Sequence, residues 1–121
     1  MNRADRFSRM PRRLALAAVC CLSLPAQAAT PVIEIEIRNH LFEPDEITIP
    51  ADTKVKLIVY NRDPTPEEFE SFEMNREKVI LGGTKAIIFI GPLPPGEYPF
   101  FGEFNPGTAI GKIVVSADSA R

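Results

Sequence analysis

An all-β Greek-key sandwich or barrel is the fold class this sequence predicts. Three observations predict it: a strictly alternating first run, further β-rich runs at roughly 8 to 12-residue spacing, and turn formers between them. Val32 to Arg38 places Ile33, Ile35 and Ile37 on one face and Glu34, Glu36 and Arg38 on the other, the signature of a half-buried strand. Glu46 to Ile49 makes a shorter run. Lys54 to Tyr60 begins with the same alternation and then turns apolar on both faces, as a strand does on entering the middle of a sandwich. Thr84 to Ile90, Glu97 to Phe101 and Lys112 to Val115 complete the β-rich set.

The punctuation is Pro44-Asp45, Pro50-Ala51-Asp52, Asp63-Pro64-Thr65-Pro66, Gly82-Gly83, the Gly91 to Gly96 segment and Asn105-Pro106-Gly107. Gly82-Gly83 reads as a hairpin signal. Between Glu67 and Val79, Phe69 and Phe72 lie three apart and Glu73 precedes Glu77, a pattern that also admits a helix; the segment is read here as an extended crossing strand. Tyr98, after Gly96-Glu97, resembles the corner tyrosine of Greek-key sandwiches, whose hydroxyl ties down a loop.

The chain has 121 residues, of which 45% are hydrophobic and 25% charged, enough for one domain and too few for two. Its ends differ. Residues 1 to 13 are basic, an 11-residue apolar run covers Leu14 to Leu24, and Ala26-Gln27-Ala28 has the small-x-small form of a cleavage site. Residues 1–28 are therefore expected to be a secretory signal peptide and residues 29–121 the exported domain. The apolar run is shorter than the roughly 20 residues a bilayer span needs, so periplasmic export without membrane insertion is expected. The leader holds five of the arginines and one acidic residue. The remaining 93 residues carry nine basic and fifteen acidic side chains, a net charge of −6 that argues against nucleic acid as a partner. Cys20 and Cys21 both lie in the leader, so disulfides and thiolate ligation are excluded from the domain.

The order of signals is informative beyond fold class. Asn39-His40-Leu41-Phe42-Glu43-Pro44-Asp45-Glu46-Ile47 opens the domain, a Val/Leu-rich strand ends in Asn61, and a Pro-Glu-Glu-Phe-Glu loop runs from Pro66 to Glu70. Pro95 to Phe100 and the Gly111 to Val115 strand follow. Together they resemble the cupredoxin-like domain family, and more narrowly its small periplasmic members associated with iron permease systems, similar to the N-terminal domain of the ferrous iron uptake periplasmic component. The resemblance implies an accessory role in iron uptake, with an iron permease or another periplasmic iron-uptake protein as partner.

The resemblance also implies where a metal would sit. Glu67 falls where copper-bearing relatives have their first His, Gly102 where they have Cys, Asn105 where they have the second His, and the Met position falls near Ala109. No type 1 copper site is expected from such residues. Members of the narrower group commonly read Gly-Glu-Phe-His in the final loop, whereas this chain reads Gly102-Glu103-Phe104-Asn105.

Carboxylates remain at that pole: Glu67, Glu68 and Glu70 from one loop and Glu103 from the other. Such a set favours hard or borderline cations, with ferrous or ferric iron expected by resemblance and other divalent metals chemically equivalent. Alternation puts Glu68 and Glu70 on one face and Glu67 with Phe69 on the other. The preferred ligand pair is Glu67 with Glu103, with Glu68 and Glu70 as a second patch. His40, the chain's single histidine, is a further candidate, its plainer role being a turn residue.

Enzyme chemistry finds little support, since one histidine and no domain thiol leave no triad and no Gly-rich phosphate loop occurs. A metal-free interaction module and a ferroxidase-type subunit are the alternatives to a metal-relay protein.

Overall fold

The computed structural model describes residues 15–24 and 29–117. The basic stretch of the expected leader and its Ala26-Gln27-Ala28 site lie outside them; residues 15–24 form neither strand nor helix, and Leu16 and Leu22 are exposed.

Nine strands make up the domain: β1 (Val32–Arg38), β2 (Leu41–Glu43), β3 (Glu46–Pro50), β4 (Val55–Asn61), β5 (Glu67–Ser71), β6 (Arg76–Ile80), β7 (Lys85–Ile90), β8 (Gly96–Gly102) and β9 (Ile110–Ser116). They form two mixed sheets, ordered β2-β1-β4-β7 and β3-β9-β8-β5-β6, packed as a Greek-key β-sandwich. β1 runs parallel to β4 and β3 parallel to β9, while the remaining pairs are antiparallel. The inward positions of both sheets meet in one apolar core, centred on Phe42, Phe69 and Phe100. Phe42 meets Phe100 edge-on at 4.9 Å between ring centroids, and Phe69 stacks on Phe100 at 5.0 Å.

Local chemistry explains the turns. Asn39 and His40 both have positive φ, as a two-residue connection between antiparallel β1 and β2 demands. Neither is glycine, and the Asp63 carboxylate offsets the strain by accepting both backbone N–H groups, at 2.8 and 2.9 Å. Tyr98 donates its hydroxyl to the Pro94 carbonyl at 2.8 Å, the loop tie expected of a corner tyrosine.

Two readings of the sequence need correction. The segment from Glu67 to Val79 is a hairpin of β5 and β6, not one crossing strand. Asn75 adopts a left-handed conformation in its turn, Ser71 Oγ accepts the Met74 N–H at 3.2 Å, and Met74 packs into the core. Gly82-Gly83 does not close a hairpin either, because β6 and β7 belong to different sheets. The pair serves a close passage, where a Cβ on Gly82 would collide with the Pro64 carbonyl.

Candidate metal centre

The candidate residues come from β5 and from the loop that follows β8. Phe69 fills the core, so the two-residue period of β5 directs Glu68 and Glu70 to the opposite face of the second sheet. The Glu103 N–H donates to the Glu68 carbonyl at 2.9 Å, which carries the sheet interaction one residue past β8. As a result the carboxylates of Glu68, Glu70 and Glu103 lie within 4.8 Å of one another. Glu103 is exposed, whereas Glu68 and Glu70 retain only 8% and 7% of their surface.

The surroundings of this trio are acidic as well. Glu77 stands opposite Glu70 in the β5–β6 ladder. A hydrogen bond to Glu77, then burial, then the charges of Glu103, Glu77 and Glu70 push the Glu68 carboxyl up to about 7. Burial raises that of Glu70 in the same direction, with the Glu77 and Glu103 charges adding to it. Among the described residues no lysine or arginine forms an ion pair with any of the four.

Glu67 stands outside the trio. Its carboxylate, 1% exposed on the core side of β5, accepts the Glu68 and Phe104 N–H groups on Oε1 at 3.0 and 2.9 Å and the Asn105 side-chain amide on Oε2 at 2.6 Å. The expected pairing of Glu67 with Glu103 therefore gives way to a grouping of Glu103 with Glu68 and Glu70. Strand alternation is the reason, since it gives Glu67 and Glu68 opposite faces. His40 also lies apart, in the β1–β2 turn, with Nδ1 3.6 Å from Asp63 Oδ2. The sequence reading did not include Glu77. Recognising the left-handed Asn75 turn would have paired the two halves of the hairpin and placed Glu77 across from Glu70.

Residues 12–115 match the cupredoxin-like domain family. The chain belongs to that family. An uncharacterized protein of Rickettsia prowazekii (strain Madrid E) is 42% identical over 84 residues, 69% of this chain and 67% of the relative. Among solved structures, auracyanin A, a "blue" copper protein from Chloroflexus aurantiacus, superposes with a TM-score of 0.64 at 13% identity over 73% of this chain and all of its own. The metal-binding domain of a Cu(I)-exporting P-type ATPase from Streptococcus pneumoniae D39 gives 0.64 at 16% identity over 75% of this chain and 92% of its own. A purple cupredoxin from Nitrosopumilus maritimus gives 0.54 at 21% over 69% and 98%. At these identities the shared property is the cupredoxin-like fold.

Whether this cupredoxin-like chain can hold copper at its pole is decided by its own side chains. The four positions that resemblance assigns to copper ligands do converge: Asn105 bonds Glu67, and a Cβ on Gly102 would lie 2.6 Å from Glu67 Cδ and 2.7 Å from the Ala109 Cβ. They present one carboxylate, one amide and no thiolate, imidazole or thioether, and the carboxylate fills the space a residue-102 side chain would need. This donor set does not fit a type 1 copper centre.

Proposed function

We propose that this cupredoxin-like protein is a periplasmic accessory protein that binds a hard cation on the outer face of its second sheet. Glu68, Glu70 and Glu103 are its ligands, and iron, as Fe(II) or Fe(III), is the expected ion. The observation that carries the reading is the convergence of three carboxylates, from Glu68, Glu70 and Glu103, within 4.8 Å of one another, with no lysine or arginine among the described residues paired to them. Carboxylates held this close repel one another when ionised, and a cation bound between them would remove that repulsion. Three protein oxygens leave about half of a six-coordinate ion's shell to water or to a partner. Such a site suits capture and release to an iron permease, the partner implied by the resemblance, better than permanent storage.

The test is titration of the purified protein with Fe(II), Mn(II) and Cu(II), repeated with Glu70→Gln and Glu103→Gln. Binding of Fe(II) or Mn(II) that weakens about tenfold or more in each variant supports the proposal. No binding by the parent favours the metal-free interaction module. One feature fits that second reading: Phe72 is 73% exposed against Phe101, 5.6 Å between ring centroids, and Phe101 pairs with Glu70 in the β5–β8 ladder.

A further inference from the structure

We propose that Glu67 and Asn105 form a clamp that replaces a metal ion at the cupredoxin pole: the chain's own carboxylate joins β5 to the β8–β9 loop and denies that position to any cation. Glu67 uses three of the roughly four acceptor positions of a carboxylate on N–H donors from Glu68, Phe104 and Asn105. An entering cation would meet the positive ends of those dipoles, and displacing the carboxylate would strand buried donors. Asn105 is held in turn, because its carbonyl accepts the Thr108 and Ala109 N–H groups while its own N–H donates to the Gly102 carbonyl. Gly102 supplies the room, and the Gly102 N–H closes the loop on the Ala109 carbonyl at 2.8 Å. A bound ion joins distant loops by collecting lone pairs from each. Here a lone-pair donor from one segment meets N–H donors from the other, so the linkage needs no ion. The outer trio plays no part in this clamp, which stands whether or not that trio takes a cation.

Reversing the polarity of the clamp tests it. Asn105→Asp sets two carboxylates against each other and is expected to lower the thermal midpoint at neutral pH by about 5 to 10 °C. Adding Glu67→Gln to Asn105→Asp restores a donor opposite an acceptor, while the amide oxygen then present at position 67 still serves the Glu68 and Phe104 N–H groups; most of the loss should return. A chelator should leave the midpoint of Glu70→Gln, in which the outer trio is broken, unchanged. Where Asn105→Asp alone does not fold, recovery of a folded double variant is the same supporting result. A double variant no better than the single one overturns the proposal. So does a Glu70→Gln variant whose midpoint falls with chelator, or metal binding that disappears in Glu67→Gln while persisting in Glu70→Gln.

Discussion

Glu68 of β5 lies diagonally across the β5–β6 ladder from Glu77 of β6, on the same face, in a patch whose other neighbours, Glu70 and Glu103, are also acidic. Two such groups hold together only while one keeps a proton, which is why the Glu68 carboxyl stays protonated up to about 7. Between its ordinary value of 4.5 and about 7 the folded chain binds more protons than the unfolded one, so stability must fall as pH rises through that window. The thermal midpoint is expected to be higher at pH 5 than at pH 8, with Glu70 shifting the same way. A midpoint that is flat or climbs between those values would contradict the carboxyl pair.

Removing one partner separates charge from hydrogen bonding. In Glu77→Gln the amide N–H can donate to an ionised Glu68, which lowers the Glu68 pKa and takes a negative charge from beside Glu70. The variant should lose most of the slope between pH 5 and pH 8 and melt higher than the parent at pH 8. Glu73→Gln, in the β5–β6 turn, has no place in the causes that shift Glu68 or Glu70 and should retain the parent's slope.

Gly102 gives a steric prediction. The Cβ of Gly102→Ala would lie 2.6 Å from Glu67 Cδ and 2.7 Å from the Ala109 Cβ, distances that force one neighbour to move. Ala109 is fully buried and Glu67 is held by three hydrogen bonds, so neither yields easily. Overpacking of this kind costs about 1 to 3 kcal/mol. Gly107→Ala, where an added Cβ meets nothing within 4 Å, should cost far less in the same urea titration.

How far the sequence foretold these features follows from how local each one is. β4 and β7 were legible as β-rich runs largely apolar on both faces, whereas β1 was legible because period-two patterning and burial coincide along it, as in Ile35 and Ile37 against Glu34 and Glu36. The same rule foretold that Glu68 and Glu70 share a face apart from Glu67. The companion of each could not be read locally. Glu103 reaches Glu68 through a loop that leaves β8, and Glu77 reaches Glu70 through a turn built on Asn75, which looked like the middle of a continuous element. Glu67 misled for a chemical reason. A glutamate in a carboxylate-rich loop resembles a ligand, and only the donors gathered from residues 104 and 105 reveal it as an acceptor already satisfied.

Asn61 offers a prediction on the loop that delivers β5 to the pole. Its side chain, 1% exposed, donates to the Thr65 and Ile80 carbonyls at 2.8 and 3.0 Å and accepts the Asp63 N–H at 3.1 Å. One amide thus joins the end of β4, the loop before β5 and the end of β6. It also orients Asp63, whose carboxylate holds the Asn39-His40 turn. Asn61→Ala strands two carbonyls and one N–H in a site without room for easy solvation, and a loss of about 3 kcal/mol is expected. Asn61→Asp keeps the volume and the Asp63 contact but turns two donors into acceptors that face carbonyl oxygens, so the loss should be at least as large, and larger at pH 8 than at pH 5. Urea unfolding of both variants at the two pH values decides the matter. A cost below about 1 kcal/mol for Asn61→Ala would mean that the loop is held by its prolines and by Gly82 against Pro64, not by the amide.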